Sequence, residues 1–166
     1  MVKNQPIGKQ NQENVLILLD IRSTENVGAM FRTADAAGIS KIYLTGYTPA
    51  PLDRFGIKRK DIAKSALGAE EFVQWEQKKS ILPLITKLKK EGFLIIAIEQ
   101  AENSIDYKKV ITKNKNAFIV GTEVSGIPKN ILAKCDIVAE IPMRGKKESL
   151  NVSVSLGIAL FRMLSI

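Results

Sequence analysis

Apolar runs and stretches of helical periodicity alternate along this chain from end to end. Val15-Leu16-Ile17-Leu18-Leu19 is unbroken, is closed by Asp20, and predicts a buried strand over Val15–Asp20. From Asn26 to Gly38 the apolar residues Val27, Met30, Phe31, Ala34 and Ala37 recur at helical spacing, and Gly38 ends that helix. Lys41–Thr45 predicts a second strand. Gly46–Gly56, which holds Pro49 and Pro51, predicts a loop leading into a short basic helix over Lys58–Ser65. A short strand over Phe72–Trp75 and a helix over Ser80–Glu91, stopped by Gly92, follow. Phe93–Ile98 and Ala117–Gly121 read as two more buried strands separated by the polar stretch Glu99–Asn116. Ile137–Ile141 is the last strand, and Leu150–Leu164 the last helix.

Strands that are apolar throughout, separated by helices, predict the α/β class: a parallel sheet with helices on both faces. No repeat or linker divides the chain, so residues 15–166 read as one domain preceded by a mobile N-terminal segment over residues 1–14. The last helix is apolar nearly all round, with Leu150, Val154, Ile158, Phe161 and Met163 on more than one face. Such a helix is buried on several sides, either centrally or against a second subunit.

Charge narrows the partners. The formal net charge is +8, and the densest basic cluster, Arg54, Lys58, Arg59, Lys60 and Lys64, has Phe55 within it and only Asp53 and Asp61 in opposition. A polyanion such as RNA fits this balance, because lysine and arginine release counterions from phosphates on binding. Arg22, Arg54 and Lys58 are the candidates for phosphate contacts. The chain has no histidine and one cysteine, Cys135. An internal disulfide is therefore impossible, and a zinc site or a Ser-His or Cys-His pair lacks its usual parts, so no metal is expected. No run approaches the roughly 18 apolar residues of a spanning helix, and Met1–Asn14 has no signal-peptide core, so the expected location is the cytoplasm, away from membranes.

The ligand-binding loops lie late. The first strand-to-helix turn, Asp20–Gly28, has one glycine and no Gly-x-Gly-x-x-Gly fingerprint, and a Walker-type loop is missing, which removes the main support for dinucleotide reductases and nucleotide hydrolases. Polar, glycine-bearing turns instead follow the last two strands, at Gly121-Thr122-Glu123-Val124-Ser125-Gly126 and at Pro142–Asn151. In the second, Pro142 ends the strand, and Ser149, Asn151 and Ser153 present hydroxyl, amide and free backbone N–H groups where a helix starts. If the two strands are neighbours, both loops meet at their carboxyl ends, where α/β sheets bind ligands. Asn26 occupies a position suited to capping the first helix.

Three blocks in order carry a resemblance: Asn26-Val27-Gly28 with Arg32, Thr33, Ala34 and Gly38; Gly121-Thr122-Glu123 with Gly126; and Ile141-Pro142-Met143 with Gly145, Ser149, Leu150 and Asn151. Together they resemble the motifs of the SpoU (TrmH-like) RNA 2′-O-methyltransferases of the SPOUT superfamily, from about Val15 to the C-terminus. The resemblance implies an α/β-knot fold, in which the C-terminal segment threads through a loop as a trefoil knot, whereas the residues alone predict a plain doubly wound sheet. It also implies S-adenosylmethionine as cofactor, tRNA or rRNA as substrate, and an obligate homodimer whose interface completes the active site. Arg32 is implied to activate the ribose hydroxyl, and since arginine is a poor base, stabilisation of the developing alkoxide is the favoured role. Asn26, Glu123, Ser149 and Asn151 are implied to share the active site. Gly121, Thr122, Glu123, Gly126, Ile141, Met143, Ser149 and Leu150 are implied to hold the cofactor. The extra N-terminal RNA-binding domain of some members is not found here, so target recognition is expected to fall to this domain or to a partner. A non-catalytic RNA-binding module of the same fold and an RNA base methyltransferase are the alternatives.

Overall fold

A computed structural model describes residues 12–166. Its elements run β1 (Glu13–Leu19), α1 (Thr24–Ala36), β2 (Lys41–Thr45), α2 (Lys60–Ala66), α3 (Ala69–Phe72), β3 (Gln74–Lys78), α4 (Ile81–Lys90), β4 (Leu94–Ile98), β5 (Ile105–Asp106), β6 (Lys115–Val120), α5 (Lys129–Leu132), β7 (Ile137–Glu140) and α6 (Val152–Leu164). The seven strands form one sheet in the order β3-β2-β1-β6-β4-β7-β5, and every pairing is parallel.

Strand parity divides the core between the two faces of this sheet. Successive side chains point to opposite sides, so Leu16 and Leu18 of β1, Ile96 of β4 and Phe118 of β6 pack with Phe31 of α1 and Leu160 of α6. Ile17, Ile95 and Ile119, each one residue out of phase, pack with Ile85 and Leu88 of α4 and Ile131 of α5. Each fully buried aliphatic or aromatic side chain contributes about 1.5–3 kcal/mol relative to exposure. The helices on both faces are what a sheet of unbroken apolar strands requires.

A buried amide pair fixes the register at the sheet's centre. Asn14 faces Asn116 across β1 and β6, the Asn116 amide donates to Asn14 Oδ1 at 2.8 Å and to the Lys113 carbonyl at 2.8 Å, and its oxygen accepts from the Lys113 N–H at 2.8 Å. Slipping the pairing by one residue would leave these groups unpaired in the interior.

Several boundaries differ from the sequence-based expectation. The N-terminal segment falls mostly outside the described residues, and Glu13 and Asn14, expected to belong to it, open β1. The strand expected over Phe72–Trp75 begins instead at Gln74; the preceding residues form α3, entered through Gly68 at φ 94°, and Phe72 ends it facing solvent. β3 is polar because it is an edge strand, where charged groups such as Glu76, paired with Lys41 and Lys78, discourage further pairing. The stretch between β4 and β6 contains the two-residue edge strand β5, too short to leave a periodic signal. Helix α6 buries Leu156, Ala159, Leu160, Met163 and Leu164 against the sheet, while Val154, Ile158 and Phe161 lie on its outward side. Among the described residues no helix is long and apolar enough to cross a membrane.

Candidate active site

The pocket of interest opens where three neighbouring strands end. β7 and β6 are not neighbours, the condition under which their loops would meet directly; β4 lies between them. The loop after β4 therefore joins the other two in the wall, adding Ile98, Glu99 and Gln100 to a cavity of about 540 Å³. Gly121, Thr122, Glu123, Gly126, Ile141, Met143, Ser149, Leu150 and Asn151 all line it, with Ser125, Val152 and Ser155 besides. Arg32, Asn26, Arg22, Arg54 and Lys58 are outside this lining.

Hydrogen bonds between the loops hold the walls. The turn after β6 closes on itself: Gly126 N–H donates to the Thr122 carbonyl at 3.1 Å, and Thr122 Oγ1 accepts from the Ser125 N–H at 3.0 Å. Gly126 takes φ 64°, and a Cβ there would strike the Glu99 carboxylate, so the close approach of these two loops requires glycine. Glu99 Oε2 accepts from Ile127 N–H at 2.9 Å and Oε1 from Gln100 N–H at 2.9 Å, pinning the β4 loop to the β6 loop. Gln100 Nε2 then donates to the Glu148 carbonyl at 3.0 Å and ties in the third loop. Glu99 and Gln100 went unnoticed in the sequence because a polar pair after an apolar strand carries no distinguishing pattern.

The three sequence blocks meet in one hydrogen-bonded chain. Asn151 Nδ2 donates to Asn26 Oδ1 at 3.1 Å, and Asn26 Nδ2 donates to Glu123 Oε1 at 2.8 Å. Asn26 is free to do this because it is not the cap of α1. Ser23 is, its Oγ accepting from the Asn26 N–H at 3.1 Å, so the expected capping role moves three residues upstream. Asn151 does cap α6: its Oδ1 accepts from Ser153 N–H at 2.9 Å, Ser153 Oγ at 2.6 Å and, more weakly, Val154 N–H at 3.4 Å. One side chain thus starts a helix with its oxygen and links to the first block with its nitrogen.

Electrostatics keeps Glu123 ionised. Burial pushes its carboxyl up, but the hydrogen bond from Asn26 and the backbone N–H groups of Glu123, Arg22 and Ser23 outweigh that and hold it below the ordinary glutamate range. It is an acceptor-only group at the edge of the pocket. Cys135 is the opposite case, its thiol pushed up to about 11 by burial. No group of three or more Cys, Asp or Glu side chains among the described residues is placed to hold a metal ion.

Arg32 lies six residues, somewhat under two helical turns, beyond Asn26 on α1, exposed, and takes part in none of the ion pairs among the described residues. Gly28, between them, permits close packing with α2: a Cβ there would collide with Ser65 Oγ and the Ile62 carbonyl and lie 2.9 Å from Ala66 N. Of the three candidate phosphate contacts, Arg22 and Arg54 are exposed. Lys58 is engaged by acids, with its Nζ 3.2 Å from Glu70 Oε1 in an ion contact that lacks hydrogen-bond alignment, and bonded to Glu71.

A doubly covered parallel sheet, with loops from the three sequence blocks joined by hydrogen bonds at a pocket beyond its inner strands, defines an α/β domain that binds its ligand late in the chain and not at the first strand-to-helix turn. A family model described as the SpoU rRNA Methylase family matches residues 13–161, and the chain belongs to that family. It is 31% identical over 153 residues to a Staphylococcus aureus protein assigned to the TrmH family of tRNA/rRNA methyltransferases, covering 92% of this chain and 59% of that protein. The chain thus spans somewhat over half the length of the curated relatives it matches. Among solved structures, the AdoMet-bound rRNA methyltransferase of Sinorhizobium meliloti superposes with TM-score 0.81 at 26% identity, over 95% of this chain and 57% of that one. The TrmH/SpoU tRNA modifying enzyme of A. aeolicus gives 0.80 at 26% identity, over 95% and 77%.

Proposed function

We propose that this chain transfers a methyl group from S-adenosylmethionine to a ribose 2′-hydroxyl of tRNA or rRNA, working as a homodimer. The observation that carries the reading is the chain Asn151–Asn26–Glu123, which joins all three sequence blocks at the pocket edge. A non-catalytic RNA-binding domain has no need of Arg32, Glu123, Ser149 and Asn151 together, which supports the catalytic reading.

The pocket's donor set suits the cofactor. Ile98, Ile141, Met143 and Leu150 supply apolar walls for an adenine ring, and the turns at Gly121–Gly126 and Ser149–Asn151 supply hydroxyl and amide groups and exposed backbone polar groups for its edges and for the ribose. At Gly121 a Cβ would lie 2.6 Å from Ile127 Cγ1 and from the Gly126 carbonyl carbon, so the turn closes only without a side chain there. When bound, S-adenosylmethionine supplies a methyl group made electrophilic by its positive sulfur.

The residues' own tasks follow from their chemistry. Glu123, an ionised acceptor, fits a ribose hydroxyl or a basic group. Asn26 and Asn151 fix its orientation, and Ser149 adds a hydroxyl at the lip. Positioning of this kind accounts for a large part of rate enhancement in group transfer. A guanidinium retains its charge throughout the working pH range, so the role that fits Arg32 is to stabilise negative charge developing on the 2′-oxygen.

Arg32 is absent from the pocket lining of its own chain, and a second copy supplies the remedy. Val154, Ile158 and Phe161 form an outward apolar stripe on α6, the helix packed beside α1, with Gly157 close to Thr33. Association through that stripe would bury it and bring the Arg32 of one copy toward the pocket of the other. The trefoil knot belongs to the same reading, supported by β7 lying inside the sheet with its following segment folded back among the earlier loops.

The deciding experiment is transfer of labelled methyl groups to unfractionated tRNA and rRNA, followed by nuclease digestion and mass analysis of the nucleosides. Sugar-methylated products from the wild-type chain, lost in Arg32→Ala while S-adenosylmethionine binding persists, are expected. Base-methylated products would move the chain to the base-modifying alternative. Binding of RNA without any transfer would make it a non-catalytic module.

A further inference from the structure

A rigid hairpin outside the pocket presents apolar rings to solvent on a basic background. Leu52 and Lys58 pair in an antiparallel bridge, Asp53 N–H donates to the Ile57 carbonyl at 2.9 Å, and Asp53 Oδ1 accepts from the N–H groups of Phe55 at 2.8 Å and Ile57 at 2.9 Å. This turn is held by its own bonds. Yet its tip leaves Phe55 72% and Ile57 63% exposed, with Tyr47 at 83% just before it. The Arg54 guanidinium stands over the Phe55 ring, 4.7 Å from its centre.

Further bonds fasten the segment that leads into the hairpin to the loop that precedes the first block. Tyr47 N–H donates to Asp20 Oδ1 at 2.9 Å, and Thr48 Oγ1 accepts from Ile21 N–H at 3.0 Å while donating to the Leu18 carbonyl at 3.0 Å. Asp20 and Ile21 lead directly into Arg22 and the start of α1, so Tyr47, just past the carboxyl end of β2, lies on the same rim of the sheet as the loop that leads to Asn26, and the hairpin follows it in the chain.

We propose that Phe55, backed by Arg54 and flanked by Tyr47, is a stacking platform for unpaired nucleobases next to the ribose that is methylated. The inference rests on the reading of the chain as an RNA methyltransferase and adds how RNA is gripped. Aromatic rings and arginine planes are what single-stranded RNA stacks on, and every base offers a face to them. The charge around the tip favours RNA over a second copy of the chain. Lys58 is engaged by Glu70 and Glu71 and Arg59 by Asp61, but Arg54 in the hairpin and Lys60 and Lys64 just after it take part in no ion pair among the described residues, and a symmetric contact would set these three cations against their own counterparts. Asp53 spends one carboxylate oxygen on the N–H groups of the turn.

The test is equilibrium binding of the full chain to unfractionated tRNA, to rRNA fragments and to a fully paired RNA duplex, across a series of salt concentrations. Phe55→Ala is expected to weaken binding of the first two by about 5- to 150-fold, the range for losing one stacked base. The duplex should be indifferent to Phe55. The dependence on salt should keep its slope, because no phosphate contact is lost, and Phe55→Trp should restore affinity. Arg54→Ala should lower the slope by about one. Unchanged S-adenosylmethionine affinity in Phe55→Ala guards against a folding defect.

Wild-type affinity of Phe55→Ala for all three RNAs would overturn the platform. So would a fall in molecular mass with RNA binding intact, which would make the hairpin a contact between copies. Phe55-dependent RNA binding by a wild-type chain that methylates no RNA would leave the platform standing and remove the methyltransferase reading. Failure of the wild-type chain to bind any RNA would remove both.

Discussion

Replacing Asn26 with alanine cuts the chain of hydrogen bonds at its middle, and the cost has a characteristic pH dependence. Two bonds are lost, one to a carboxylate at 2.8 Å and one from the Asn151 amide at 3.1 Å. A bond to a charged group nets about 1.5–3 kcal/mol and a neutral one about 0.5–1.5 when sheltered. Glu123 and Asn151 are both exposed, so water replaces part of each, and the expected destabilisation at neutral pH is about 1–2 kcal/mol. Glu123 has a native pKa below its ordinary value, so its contribution is fully present above the unfolded pKa, near 4.3, and is lost as pH falls through the native value. Removing Asn26 deletes a lowering influence and leaves the burial that raises the pKa. The native value therefore moves up, and the gap between variant and wild type is widest above about pH 5 and narrows below it. Urea unfolding of both proteins at pH 7 and pH 3.5, with carboxyl NMR of Glu123, reads the effect directly. An equal stability loss at the two pH values, or an unmoved Glu123 midpoint, would refute the electrostatic account. Methyl transfer by Asn26→Ala should fall on the order of 100-fold, the usual consequence of an ångström-scale misplacement of reacting groups.

Gly28→Ala puts a methyl group against the backbone of α2 and should lower stability by about 1–3 kcal/mol, despite the better helix propensity of alanine; a melting temperature at or above wild type would contradict the packing drawn here. Ile158→Glu charges the outward stripe of α6 and should convert a dimer into a monomer in analytical ultracentrifugation, with loss of transfer and retained secondary structure. Mixing two inactive proteins, Arg32→Ala and a pocket-blocked Gly121→Val, should restore part of the activity if each site takes its arginine from the other copy; a mixture as inactive as its components would assign Arg32 to its own chain. Cys135, with its thiol pushed up to about 11, should resist iodoacetamide at pH 8 until the chain is unfolded, because about one thiol in a thousand is then thiolate.

What could be read in the sequence, and what could not, separates along a physical line. A buried parallel strand must be apolar throughout, so Val15–Leu19 and Ile95–Ala97 declare themselves, and the helices between them follow from periodicity. Order across the sheet is a different matter. Nothing in a strand's composition says which strand it will pair with, and the insertion of β4 between β6 and β7 brought Glu99 and Gln100 into the pocket without warning. The short elements α3, α5 and β5 are below the length at which a period can register. The cap of α1 was misread for a subtler reason: Ser23 and Asn26 are both good capping residues three positions apart, and only the bond from Asn26 to Glu123, 97 residues away, decides between them. That bond also explains why an asparagine stands where helix propensity would prefer alanine or leucine. The side chains that a local rule explains poorly, Asn26 within a helix and Phe55 on an exposed turn, are the ones the tertiary structure commits to the pocket and to solvent respectively.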